Sequence, residues 1–252
     1  MAGLRYVYAV CRPFDTPLQV QLTGVAGAPA RLLHHHGLVA VVSTVSEVDF
    51  AEEPLQTHLA DPDWLARMAR GHRQVVDALT VVTTPLPLWP ATVVADDSEV
   101  RVMIEEREDR FRDILDRLRD RVEWGVTVSV PGASATGTTP PGGGAEGGPD
   151  ARRAAVEARR AAQAFAERLH ADLAGHAEAA RRNLPHPLAP PLTRPDDFAP
   201  QVLNAAYLVP RTESEQFVEI VDRAAKDEES GTRVDLAGPW AAYSFVESEG
   251  QT

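Results

Sequence analysis

Cysteine is almost absent from this sequence: Cys11 stands alone among 252 residues. One thiol cannot close an intrachain disulfide, which fits a reducing compartment. Long apolar runs are also missing, and the uninterrupted stretches fall far short of the roughly 20 residues that cross a bilayer as a helix. The opening Met1-Ala2-Gly3-Leu4-Arg5-Tyr6 has neither the basic nor the apolar region of a secretory leader. These absences predict a cytoplasmic protein with no membrane segment. Positive charge is in short supply as well. A formal net charge of -12 repels nucleic-acid phosphates and anionic lipid headgroups, so no nucleic-acid partner is expected. The pairs Arg152-Arg153 and Arg159-Arg160 are interleaved with Ala and Glu and read as a solvated helix face.

Recognisable catalytic motifs are missing. There is no G-x-S-x-G elbow, no phosphate loop ending in Gly-Lys-Ser/Thr, no H-E-x-x-H and no G-x-G-x-x-G. Gly142 to Gly144 lack the preceding strand and following lysine that phosphate binding needs. Asp61 with Asp63, and Glu105 with Glu106, are better explained by helix capping and solvation than by acid/base work. His72 lies on the apolar stripe of a helix without a nucleophile at recognisable spacing, and reads as a core-edge histidine. In His34-His35-His36, strand geometry places His34 and His36 on one face and turns His35 away. Zinc needs three or four ligands and no nearby completion is apparent, so the run reads as a polar hairpin rim. The expectation is a protein that is not an enzyme, with no cofactor and no metal.

What is present suits a packed core: 44% apolar and 25% charged residues. Arg5 to Cys11 alternates two apolar faces and predicts a central strand, with Cys11 as a small buried hydrophobe. Ala30 to Val48 reads as a hairpin turning at Gly37. Asp61, Pro62 and Asp63 open a helix whose stripe is Leu65, Met68, His72, Val75, Val76 and Leu79. Pro85 and Pro87 precede an extended segment, Leu88 to Ala95. A second helix starts at Asp96 and Glu99 and carries its stripe from Val100 through Ile104, Phe111, Ile114 and Leu118 to Val122. Glu123 to Val130 is a strand. The Gly/Pro-rich residues 131–149 read as a disordered insertion. Ala151 to Asn183 reads as one long helix with a stripe of Ala158, Ala162, Phe165, Leu169 and Leu173. After an irregular, proline-rich connection, Val202 to Val209 is a strand and Thr212 with Glu215 boxes the start of a helix that Gly231 closes. Thr232 to Leu236 and Ala241 to Val246 read as two strands separated by Gly238-Pro239. The second half thus alternates strands and helices as in ferredoxin-like domains.

One segment carries a resemblance. Gly238-Pro239-Trp240-Ala241-Ala242-Tyr243-Ser244-Phe245 is similar to the terminal Gly-Pro-Trp-Pro-Pro-Tyr-Ser-Phe signature of the gas vesicle GvpL/GvpF family. Leu203 to Val209, Glu123-Trp124-Gly125-Val126, Tyr6-Val7-Tyr8, Gly37 to Ser43, and the His72 helix followed by Leu86-Pro87-Leu88 match further blocks in order. Two departures stand out: Ala241-Ala242 replaces Pro-Pro, and Trp89-Pro90-Ala91-Thr92 replaces Arg-Phe-Gly-Thr.

The resemblance implies an α+β fold of two domains. Residues 1–121 would form an N-terminal α+β domain with a small antiparallel sheet and long helices. Residues 122–247 would form a modified ferredoxin-like domain, leaving 248–252 as a tail. It implies an accessory protein of gas vesicle assembly, cytoplasmic and associated with gas vesicles. Such a factor binds the small hydrophobic shell subunit and other accessory proteins, and helps nucleate or chaperone vesicle formation. The shell subunit would add a strand to a sheet edge or lay a helix in an apolar groove. Trp240, Tyr243 and Phe245, with Trp89 in the first domain, are the candidate contact residues, set against ordinary core packing. A general chaperone or adaptor without a vesicle role and a small-molecule-binding ferredoxin-like protein are the alternatives.

Overall fold

The computed structural model describes residues 3–15, 22–130, 149–182, 200–226 and 231–246. The insertion expected at 131–149 lies almost wholly outside the described residues, as do the proline-rich connection and the tail. The chain divides into two compact units, Met1–Arg121 with Trp240–Thr252, and Val122–Pro239. The sequence reading carried the second domain to residue 247. Trp240 and the residues after it group instead with the first unit.

The first unit is built on strand β1 (Leu4–Cys11), which pairs antiparallel with β3 (Leu38–Val45). β2 (Arg31–His35) flanks β3, while the short β4 (Leu86–Pro87) and β5 (Val93–Val94) both pair with β1 on its other side. The central position expected of β1 follows from its two apolar faces: Tyr6 through Cys11 are all buried. Burial pushes the Cys11 thiol up to about 12, so it behaves as a hydrophobe. The β1–β3 register shifts between Val7 and Ala9, a bulge at Tyr8.

Helices α1 (Glu47–Phe50) and α2 (Glu52–Leu59) precede α3 (Pro62–Val82). The first two were not anticipated, being short and without a continuous apolar stripe. α3 begins as its sequence dictates: the Asp61 carboxylate accepts from Asp63 N and Trp64 N, and Pro62 occupies the first turn. The helix expected from Asp96 is two helices, α4 (Asp97–Glu106) and α5 (Glu108–Leu118). Arg107, at φ -124° and ψ 17°, breaks the run without interrupting the buried stripe of Val100, Ile104, Phe111, Ile114, Leu115 and Leu118.

In the second unit the order is β6 (Arg121–Ser129), α6 (Pro149–Gly175), β7 (Ala179–Arg182), β8 (Gln201–Pro210), α7 (Ser214–Ala225) and β9 (Arg233–Trp240). The sheet order is β7-β8-β6-β9. α6 ends at Gly175, earlier than expected, and its last predicted turns are strand β7 instead. Its seam of Ala162, Phe165, Ala166, Leu169 and Leu173 is buried, whereas Ala158 is exposed. Thr212 does not cap α7. A 3-10 turn, Arg211–Glu213, leads into that helix, and no side chain caps it. β9 is a single strand running through Gly238 and Pro239, where two strands were expected. Residues Tyr243–Phe245 form a 3-10 turn, not a strand. Trp124, Tyr207 and Phe217 fill the core, with rings of Tyr207 and Phe217 5.3 Å apart.

Candidate functional site

The Trp89 turn closes the gap between β4 and β5. Trp89 O accepts from Thr92 N at 3.2 Å and from Thr92 Oγ1 at 2.6 Å. This is a four-residue turn with Pro90 second and Ala91 third, and Ala91 takes φ 63°. The third position favours glycine in such turns. Here proline presets the turn and two main-chain ties hold it: Leu88 N to Tyr8 O and Val7 N to Thr92 O, each 2.9 Å. The result is an indole, Trp89, 46% exposed on the rim of the first sheet.

Beneath that turn lies a buried polar hub. Ala91 N donates to Tyr6 Oη at 3.1 Å, and Tyr6 Oη lies 3.0 Å from His72 Nδ1. Burial, helped by neighbouring Arg73, holds the His72 pKa down near 3, so the ring is neutral. Among the described residues its Nε2 has no hydrogen-bond partner. Tyr8, at 4.9 Å from the Tyr6 ring, accepts from Val25 N and donates to Ser43 Oγ, which donates to Pro29 O. His72 is wholly internal, deeper than the core-edge position expected of it, and its Nδ1 meets the Tyr6 hydroxyl.

The C-terminal segment reaches the same hub. Ala242, at φ -78° and ψ 59°, makes an inverse γ-turn in which Tyr243 N donates to Ala241 O at 2.8 Å. Ala241, Ala242, Ser244 and Phe245 are buried, and Tyr243 packs against the first core with its ring 6.2 Å from that of His72. Arg117 Nη2 donates to Phe245 O at 3.0 Å. Of the four nominated aromatics, Phe245 is core, Tyr243 is half-buried against the core, Trp240 is half-buried at the end of β9, and Trp89 is exposed.

Sequence spacing gave no sign of a second cluster. The β2–β3 hairpin turns through His36 (φ 49°) and Gly37 (φ 66°), the two positive dihedrals of a type I′ turn. His36 thereby leaves the strand, and its ring stacks on that of His35 at 4.4 Å. His34 stays exposed on the strand. The alternation expected for the three histidines fails at this turn. The helices supply carboxylates from about 70 positions away: His35 Nε2 is 2.6 Å from Glu105 Oε1, and His36 Nδ1 is 2.7 Å from Glu108 Oε2. Glu105 and Glu108 flank Arg107, where the helix breaks. Arg112 binds Glu108 Oε1 and donates to His36 O at 2.6 Å.

No helix among the described residues is long and apolar enough to cross a membrane. The model of the family described as gas vesicle synthesis protein GvpL/GvpF matches residues 4–247. Gas vesicle protein L of Streptomyces sp. (strain CB03234) is 46% identical over 259 residues, covering 96% of this chain and 92% of that one. The crystal structure of the gas vesicle protein GvpF from Anabaena sp. PCC7120 matches with a TM-score of 0.69 at 16% identity, over 99% of this chain and 98% of its own. That of GvpF from Microcystis aeruginosa gives 0.67 at 19% identity, over 98% and 100%.

Proposed function

The chain belongs to the gas vesicle synthesis protein GvpL/GvpF family, and on that premise we propose that it is a non-catalytic accessory factor that binds the hydrophobic shell subunit and helps nucleate or chaperone vesicle assembly. The observation that carries the reading is the family match across residues 4–247 together with the 46% identical relative. A shell subunit that exposes apolar area to water loses roughly 25 cal/mol per Å². A strongly acidic partner that holds such subunits answers that cost and, at net charge -12, resists self-association.

Two surfaces support the reading. β9 borders the second sheet and carries Pro239, a residue tolerated at sheet edges. The opposite edge, β7, is short and ends in Arg181-Arg182, which discourages strand addition there. β9 is therefore the favoured edge for an incoming strand, with Trp240 at its end. Trp89 offers a second, exposed aromatic on the first unit. Phe245 is buried and Tyr243 packs against the first core. The succession β-α-β-β-α-β and the order β7-β8-β6-β9 favour reading the second unit as a modified ferredoxin-like domain, the second of two domains. A non-catalytic role is favoured by the burial of His72, whose ring meets tyrosines on a closed interior. The protein acts in the cytoplasm in association with gas vesicles, with shell protein and other accessory proteins as partners.

Co-expression with the small shell subunit tests this. Soluble shell protein that co-purifies with the chain supports the reading. Shell protein that aggregates as it does alone, while another accessory protein co-purifies, moves the contact to that protein. Equal rescue of unrelated hydrophobic clients marks a general chaperone.

A further inference from the structure

We propose that His35, His36 and Glu105 form a binding site for a divalent transition-metal ion of the zinc class, with Glu108 orienting His36 from outside the coordination shell. The donor atoms lie within 4.8 Å of one another. His35 Nε2 and Glu105 Oε1 are 2.6 Å apart, and His36 Nε2 and the same oxygen are 4.0 Å apart. Bonds of about 2.0–2.2 Å in a tetrahedral shell place donor atoms roughly 3.3 Å apart. Entry of the ion therefore widens one separation and narrows the other. Both adjustments fall on side chains that reach solvent: 20% exposed for His35, 50% for His36 and 47% for Glu105.

The second observation is the orientation of His36. An ionised carboxylate only accepts, so the 2.7 Å contact to Glu108 Oε2 places the ring proton on Nδ1. In the neutral ring the lone pair is then on Nε2, the nitrogen that faces Glu105. This carboxylate–histidine arrangement fixes the tautomer and raises ligand basicity in metal sites. Glu108 is itself held by Arg112, through Nε at 2.9 Å and Nη2 at 2.8 Å. Arg112 also binds the carbonyl of His36, so one guanidinium fixes both the turn and the orienting carboxylate.

Two imidazoles and a carboxylate select zinc-like ions over calcium or magnesium, which prefer all-oxygen shells. The ion takes the place of the proton shared by His35 Nε2 and Glu105, and that proton passes to solvent. Three protein ligands leave a fourth position for water or for a donor from a partner. The site closes the hairpin turn onto the junction between α4 and α5. It rests on none of the surfaces assigned to shell binding.

The test uses the full-length chain without a polyhistidine tag, titrated calorimetrically with Zn²⁺ and followed with Co²⁺ by the visible absorption of a four-coordinate ion. One ion per chain is expected. His36→Ala and Glu105→Gln should each weaken binding by at least about tenfold and Glu108→Gln by about 10- to 100-fold, while His34→Ala leaves it unchanged. Zn²⁺ should raise the Tm of the wild type and not of His36→Ala, with far-UV circular dichroism confirming that each variant is folded. Absence of Zn²⁺ binding by the wild type, or equal binding by His36→Ala and His34→Ala, overturns the proposal and leaves the cluster as ion pairs alone.

Discussion

The hydroxyl of Tyr6 stands 3.0 Å from Nδ1 of His72, and through it the Trp89 turn is tied to helix α3. The same oxygen accepts from Ala91 N, so it is placed to donate its own proton to the imidazole. Removing it leaves a half-buried N–H and a buried ring nitrogen without their partner. Tyr6→Phe should therefore destabilise the chain by about 1–3 kcal/mol, lowering Tm by several degrees. A urea melt with an unchanged midpoint counts against that role.

His72 binds a proton less readily in the folded chain than in the unfolded one, because burial lowers its pKa from 6.5 to about 3. As pH falls, the unfolded state takes up the proton first. The stability that this neutral ring contributes is full above pH 6.5 and declines between there and pH 3, by at most about 1.4 kcal/mol per pH unit. Urea midpoints at pH 7 and pH 5 should drop more for the wild type than for His72→Gln. Parallel drops would assign the pH dependence to other groups.

Ala91 sits at φ 63°, a region costing a residue with a side chain about 1–2 kcal/mol. Ala91→Gly removes that cost but adds freedom to the unfolded chain, for a net stabilisation of about 0.5–1 kcal/mol. Thermal denaturation reads the difference directly, and a lower Tm would mean that the Ala91 methyl contributes packing worth more than the strain.

Gly238→Ala should act in the opposite direction. Its φ is 127°, and an added Cβ would meet Glu123 O at 2.9 Å and Trp124 Cε3 at 3.0 Å. The neighbour is main chain and cannot swing aside. A loss of about 1–3 kcal/mol is expected, seen as a lower Tm, together with a change in Trp124 fluorescence.

Trp89→Ala should leave Tm within about 2–4 °C of the wild type, since the indole is 46% exposed. In the co-expression assay it should reduce the soluble shell protein recovered, as should Trp240→Ala. Phe245→Ala should instead unfold or strongly destabilise the chain, by about 3–5 kcal/mol. Full shell recovery with both tryptophan variants would move the contact away from these two surfaces.

Much of this architecture was legible wherever local chemistry dominates. The Asp61-Pro62 start of α3, the burial of β1 and the seam of α6 from Ala162 onward follow from capping and period alone. The misreadings arise where distant residues decide. Ala179–Arg182 has helix-forming composition and becomes a strand because β8 supplies a ladder, Ala179 opposite Leu208 through Arg182 opposite Ala205. Gly238-Pro239 reads as a break, yet β9, paired with β6, runs through it, and the missing Cβ of Gly238 leaves room for Glu123 O. The family resemblance located the aromatic segment but could not say which rings face inward. The His35–His36 cluster was illegible for a related reason. Its carboxylates sit about 70 residues downstream, and the turn that turns His36 toward them depends on two consecutive positive dihedrals.

The return of Ala241 to Phe245 to the first unit has a consequence for synthesis. A ribosome delivers residues in order, so the core around Tyr6 and His72 lacks these packing partners until the whole of 122–239 has been made. The unit that starts first is the one completed last, and a nascent chain interrupted in the second unit carries an unfinished first one.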